Sequence, residues 1–208
     1  MPKVSVVCSS REHPIFPVME AWSFRNGAGL FERIADAPDS DFLFLVSCGE
    51  IASKQARSRF RHCLVLHASD LPDGRGWSPH VWHILNGVEE LTVSLLSADD
   101  PVDSGAIWHQ KRIPLNGTEL CDEVNDRLFA AEVELMDWAL TNCDHTAPVD
   151  QDGEPSYFRQ RTPEDSHVSP EQTLAEIFDL LRVADPVRYP AFFEHRGQKY
   201  ALDLRKVA

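Results

Sequence analysis

An α/β fold on a parallel sheet is predicted by three features of this chain. Short apolar runs alternate with helix-like periodicities, turn-forming residues separate them, and the runs are continuous, as strands covered on both faces require. Lys3 to Cys8 (KVSVVC) reads as the first buried strand. Val18, Ala21 and Trp22 then recur at helical spacing behind the breakers Pro14 and Pro17. Asp39-Ser40-Asp41 marks a turn into Phe42 to Val46, a second strand. Ile51 to Phe60 predicts a helix and Cys63 to Leu66 a third strand. Ala68 to Gly76 holds Pro72, Asp73, Gly74 and Gly76 and is a constrained loop. Ser78 and Pro79 open a helix that ends at Asn86-Gly87. Leu91 to Leu96 is a further strand, followed by the acidic loop Asp99 to Gly105 and a strand around Ile107.

Asn116 with Glu119 gives the N-terminal signature of a long helix, in which Leu120, Val124, Leu128, Leu135 and Leu140 recur near one face. This helix closes a first domain at residues 1–144. Residues 145–168 are polar, contain Pro148, Pro155 and Pro163, and read as a linker. Residues 169–208 predict a short C-terminal helix and a β-hairpin. The helix runs from Ser169 or Glu171 to Val183 with Leu174, Ile177, Phe178 and Leu181 on one stripe; the hairpin spans Ala191 to Leu204 and turns at Arg196-Gly197-Gln198. Phe192, Phe193 and Tyr200 give it an apolar patch suited to a homodimer contact or to packing on the linker.

Composition narrows the function classes. With 43% apolar and 25% charged residues, the chain can bury one sizeable core and an appendage. A net charge of −13 repels phosphate backbones and weighs against a nucleic-acid partner. Cys8, Cys48, Cys63, Cys121 and Cys143 form no Cys-x-x-Cys pair, and His62, His67, His80, His83 and His109 are not joined to a glutamate in a zinc-binding helix pattern, so no metal is predicted. The first apolar run, Val4 to Cys8, gives way to Ser9, Ser10, Arg11 and Glu12, unlike a secretion signal, and no run is long enough for a bilayer. A cytoplasmic protein without a membrane partner is expected.

In open parallel sheets, ligands collect beyond the carboxyl ends of the strands, which directs attention to the loops beginning at Ser9, Ser47 and His67. The third loop carries a recognisable pattern. Leu66-His67-Ala68-Ser69-Asp70-Leu71-Pro72, then Arg75-Gly76, Leu85-Asn86-Gly87 and Asp103-Ser104-Gly105, resemble the signature of formyltetrahydrofolate-dependent formyltransferases. That family has Asn-x-His-x-Ser-x-Leu-Pro, then Arg-Gly, a helix ending in a glycine turn, and Asp followed by Ser, Thr or Ala and then Gly. The likeness continues through Gln172 to Phe193, and Arg161 to Asp165 is similar to a stretch of short bacterial sugar N-formyltransferases, including those of pseudaminic-acid-type pathways.

The resemblance implies a formyltransferase-type Rossmann-like sheet with helices on both faces. It also implies transfer of a formyl group from N10-formyltetrahydrofolate to an amine, with His67 and Asp103 catalytic. Those residue types suit the chemistry. An amine attacks the formyl carbon, an oxyanion forms, and protons must leave one nitrogen and reach another. An imidazole titrates near neutrality, and general acid–base help contributes about 10²–10⁴ in rate. A neighbouring carboxylate fixes the ring's tautomer and favours the imidazolium. One position departs from the family: Val65 stands where Asn is usual, and removing an oxyanion donor costs about 3–4 kcal/mol of transition-state stabilisation. Either a backbone amide, a water or another side chain takes over there, or the site is slow or inactive.

By the same resemblance, the folate head docks against Cys48, Gly49, Glu50 and Ile51 and against the acidic loop Asp99, Asp100, Pro101, Val102 and Asp103. Trp77 follows Gly76 where the family often has a basic residue; its ring either stacks on the cofactor or fills the core. The acceptor is expected to be a nucleotide-linked amino sugar, with Arg11, Arg161 and Arg182 as candidate phosphate contacts and Tyr157 as a stacking surface. An initiator-tRNA acceptor is disfavoured by charge and by a C-terminal segment of about sixty residues. A non-sugar amine or hydroxylamine of a natural-product pathway, or a non-catalytic folate-binding homologue, are the rival readings.

Overall fold

Apolar runs of this kind need neighbours on both sides, and they find them in one central sheet. The computed structural model describes residues 2–207. The chain opens with strand β1 (Val4–Val7), buried at every position. Helix α1 (Phe16–Asn26) has Pro17 in its first turn and stops at Gly27, whose φ of 63° suits a residue without Cβ. Then come β2 (Gly29–Phe31), a 3-10 turn at Ile34–Asp36, β3 (Ser40–Leu45), the single-turn helix α2 (Lys54–Arg57) and β4 (Phe60–His67). After β5 (Arg75–Gly76) and α3 (Pro79–Leu85) follow β6 (Glu90–Ser97), β7 (Ile107–Pro114) and α4 (Cys121–Asn142). The C-terminal third holds β8 (Tyr157–Phe158), a 3-10 helix at Pro163–Ser166, α5 (Leu174–Val183), β9 (Ala191–His195) and β10 (Gln198–Leu202).

The main sheet runs β2-β1-β3-β4-β6-β7. Its first four strands are parallel, whereas β6 is antiparallel to β4 and β7 to β6. The α/β class is as the sequence predicts; the antiparallel edge is not legible there, because an apolar run reports burial and not strand direction. The helix expected over residues 51–60 shortens to Lys54–Arg57. Ser53 caps it through Ala56 N–H at 3.2 Å, and β4 already begins at Phe60. The signature at Asn116 and Glu119 shapes a loop instead of starting α4, since Glu119 accepts the amides of Asn116 and Gly117 and the helix begins at Cys121.

The two faces of the sheet are unequal. On one, Val4, Val6, Phe42, Phe44, Leu64, Leu66, Val93 and Leu95 pack against Met19 and Trp22 of α1, Ile84 of α3 and Leu128, Leu135 and Met136 of α4. On the other, Val7, Leu43, Leu45 and Phe60 meet Ile34, Ala37 and Ala52 in a smaller cluster. The C-terminal hairpin is bound to the rest of the chain, with Val168 N–H donating to Phe192 C=O at 2.9 Å. Phe192 is thus buried, while Phe193 stacks on the half-exposed Tyr200 at 5.3 Å. None of the helices among the described residues is long and apolar enough to cross a membrane.

Leu95 is fully buried at the centre of the larger cluster. Leu95→Ala is expected to lower unfolding stability by about 2–5 kcal/mol, measured by urea denaturation. A loss below about 1 kcal/mol would contradict this position of β6 in the core.

Candidate active site

β4 ends at His67, so the strand delivers this side chain to the carboxyl edge of its parallel neighbours. There the loops after β1, β3 and β4 surround a cleft of about 910 Å³. The His67 ring is held on both sides. Its Nε2 lies 2.9 Å from the carbonyl oxygen of Gly74, and since a carbonyl can only accept, Nε2 carries the hydrogen. Nδ1 is 3.7 Å from Oδ1 of Asp103, and both side chains are 8% exposed. Asp103 sits on the loop between β6 and β7 with φ +59°, a left-handed conformation that aspartate tolerates better than most residues. Its Oδ2 accepts the Gly76 N–H at 3.0 Å. A proton arriving at Nδ1 would therefore meet a carboxylate, in a site from which water is largely excluded.

Of the other residues named from the sequence, Cys48, Gly49, Glu50, Ile51, Trp77, Asp99, Pro101, Val102, Tyr157 and Arg161 line the same cleft. Ile51 is 72% and Trp77 49% exposed; Trp77 is thus a rim residue and fills no core gap. Glu50 turns its carboxylate away, accepting the Ile34 N–H at 2.9 Å. Val65 also lines the cleft, between Leu45 and Leu96 of the adjacent strands, so an apolar wall stands two residues before His67.

Three residues lie elsewhere. Asp100 is drawn out of the lining to Arg57, 2.6 Å away. Arg11 is exposed and paired with Glu32 at 2.5 Å. Arg182 is buried on α5, bonded to Asp179 at 2.6 Å and to the Glu119 carbonyl at 3.4 Å. Its charge holds α5 to the start of α4 and is not available to a phosphate in the cleft.

Sequence reasoning missed several groups that the fold brings in. Glu132 of α4 lines the cleft, is buried, and its Oε2 has no hydrogen-bond partner among the described residues. Burial pushes its carboxyl up to about 8. The signal was present, because Glu132 falls four residues after Leu128 and three before Leu135, on the apolar face of the helix. His13 and His80 also line the cleft; desolvation first, and then neighbouring positive groups, lower each to about 4, so both are neutral at pH 7. Arg161 keeps Nε buried without a hydrogen-bond partner among the described residues, and desolvation lowers its pKa. His83, one turn from His80, points instead toward Asp73, 3.8 Å away. Among the described residues, no cluster of three or more His, Cys, Asp or Glu could hold a metal.

Segment 145–168 reaches into this site. β8 pairs in parallel with β5 through Arg75–Tyr157 and Gly76–Phe158. The approach is so close that a Cβ on Gly76 would stand 2.3 Å from the Phe158 carbonyl oxygen. No local pattern announced a two-residue strand there.

Residues 9–140 match the sequence profile of a family described as Formyl transferase. The chain is 29% identical over 149 residues to a methionyl-tRNA formyltransferase of Thermodesulfovibrio yellowstonii, covering 70% of this chain and 48% of that protein; it spans about half the length of this curated relative. In structure it is similar to a methionyl-tRNA formyltransferase from Clostridium thermocellum, with a TM-score of 0.83 at 21% identity over 99% of this chain and 94% of that one. It is also similar to a sugar N-formyltransferase from a Shewanella species, with a TM-score of 0.76 at 16% identity over 99% and 98%. At these identities the structural likeness is one of fold.

Because the folded value of Glu132 lies above the ordinary 4.5, the folded state binds the extra proton between the two. The stability this neutral carboxyl contributes is complete below about pH 4.5 and is lost as pH rises through about 8. Glu132→Gln removes the titration while keeping the shape. The variant's melting temperature is expected to gain on the parent from about pH 4.5 to about pH 8 and to level off above it; a constant difference would show that this carboxyl does not titrate as a buried acid.

Proposed function

The chain belongs to the formyl transferase family, and from that premise we propose that it moves a formyl group from N10-formyltetrahydrofolate to a small-molecule amine, the amine of a nucleotide-linked amino sugar. The observation that carries this reading is the His67–Asp103 pair, 3.7 Å apart and shielded from solvent, in the wall of a cleft of about 910 Å³. Ile51, Trp77 and Val102 leave apolar surface uncovered at the cleft. A flat, partly apolar pterin fits that rim, with the backbone of residues 48–51 and 99–102 within its reach.

The chemistry follows from the groups present. The acceptor nitrogen attacks the formyl carbon, and the bond from that carbon to the folate nitrogen breaks. One proton leaves the amine and one reaches the departing nitrogen. His67 carries that proton at Nδ1, since Nε2 is committed to the Gly74 carbonyl. Asp103, 3.7 Å from Nδ1, lies where it can stabilise the positive charge that develops on the ring. Val65 offers no hydrogen bond to the oxyanion, which leaves that charge to the imidazolium and to backbone amides. Glu132, neutral in the free protein, gives the acceptor's amine a hydrogen-bonding partner that other cleft residues do not already occupy.

The amino-sugar nucleotide is favoured by Arg161, which lines the cleft, donates to the neutral Asp165 carbonyl and Ser166 hydroxyl, and has no carboxylate within ion-pair distance among the described residues, so that a phosphate would supply its counter-charge. The curated relative's name specifies a methionyl-tRNA, yet a net charge of −13 opposes a polyanion as large as tRNA. With N10-formyltetrahydrofolate and a panel of amino-sugar nucleotides, simple amines, hydroxylamines and methionyl-tRNA, we expect formyl transfer to an amino-sugar nucleotide. Transfer to another acceptor would replace the substrate, and folate binding without transfer to any amine would leave a non-catalytic binding protein. His67→Ala should fold and lose about 10²–10⁴ in kcat; an unchanged rate would remove His67 from the mechanism.

A further inference from the structure

Asp103 has no helix or strand of its own to hold it; it lies on a loop, in a left-handed conformation, four residues before β7. What fixes it comes from outside the main sheet. Nε2 of Gln151 donates to the carbonyl oxygens of Asp103 and Gly105, both at 2.8 Å. Its Oε1 accepts from the Arg75 guanidinium at 2.6 Å. One amide thus spends both N–H groups on the two carbonyls that flank Ser104, and the buried Arg75 cation dictates which way the amide faces. No carboxylate lies within ion-pair distance of Arg75 among the described residues; its hydroxyl partner is Tyr157, 3.1 Å away. At Gly105 the same loop lies close against the end of β6, where a Cβ would clash with the Ser97 carbonyl oxygen.

The segment carrying Gln151 is anchored at both ends of the reaction centre. Val149 and Ile107 exchange two backbone hydrogen bonds of 2.8 Å. Ser156 Oγ accepts the Gly74 N–H at 2.8 Å, on the residue whose carbonyl holds His67. We infer that Gln151 is a positioning residue for the His67–Asp103 pair, and that residues 149–158 form a strap that sets its geometry. The strap grips both partners: the Asp103 backbone through Gln151, and the His67 ring through Ser156 and Gly74. The inference rests on the transfer reading for its consequence in rate, though the geometry it describes can be tested without any activity.

Gln151→Ala, Gln151→Glu and the exposed strap variant Glu154→Ala provide the test, with two readouts. The first is hydrogen exchange at the Gly76 amide, which donates to the Asp103 carboxylate. If Gln151 holds Asp103, this amide should exchange at least about tenfold faster in both Gln151 variants, and unchanged in Glu154→Ala, while core amides of β4 stay protected. The second is steady-state transfer. Misplacing a reacting group by about 1 Å costs on the order of 10²-fold, so kcat should fall about that far in Gln151→Ala with little change in KM. Gln151→Glu should fall further, because its carboxylate would face two carbonyl oxygens. Unaltered Gly76 exchange, or wild-type kcat in an active enzyme, would overturn the inference. Wild-type protein inert toward every amine would instead defeat the transfer reading, and the exchange data would still decide whether Gln151 positions Asp103.

Discussion

Asp103 stands between two groups that belong to different parts of the chain. One oxygen takes the Gly76 amide at 3.0 Å and the other faces the His67 imidazole at 3.7 Å. A buried carboxylate is costly unless its oxygens are met by hydrogen bonds or positive charge. That requirement ties three elements together: the end of β4 must bring His67, the turn at β5 must present its amide, and the loop after β6 must bend back through a left-handed residue. The antiparallel edge of the sheet serves this arrangement, because β6 runs back alongside β4 and its end lies away from the carboxyl edge. Its following loop then returns toward β4 before β7 starts.

Around this pair, burial decides which groups keep their charge. His13 and His80 are held neutral by desolvation and nearby cations, and Glu132 by desolvation alone. The cleft is therefore less charged at neutrality than its residue types suggest. Arginines remain the main positive groups, and they differ in use. Arg57 fixes α2 to the acidic loop through Asp100, and Arg75 orients Gln151; Arg75 and Arg161 both line the cleft and each keeps a buried Nε without a hydrogen-bond partner among the described residues. An arginine cannot shed its proton to escape burial, so each needs a structural partner or a ligand.

Much of the frame was determined by the sequence itself. Continuous apolar runs specify β1, β3, β4 and β6 because a strand with both faces covered tolerates no polar alternation. Prolines, glycines and capping residues mark α1, α3 and the hairpin turn at Arg196-Gly197, where both φ values are positive. The pairing of His67 with Asp103 could be anticipated because both belong to an ordered pattern with fixed spacing around turns, and turns are local.

Tertiary structure alone decided the rest. Whether an arginine meets a ligand or an acid depends on residues distant in sequence, which is why Arg11, Arg182 and Asp100 went to Glu32, Asp179 and Arg57. Gln151 carried no signal, because an amide in a proline-rich polar stretch looks solvated until the loop it supports is beside it. Glu132 was a polar break in an apolar stripe, and only the fold showed a cleft on that face. Local patterning reports what a residue can do with its near neighbours; long-range pairing, with its loop-closure cost and its desolvation, is settled when the whole chain is packed.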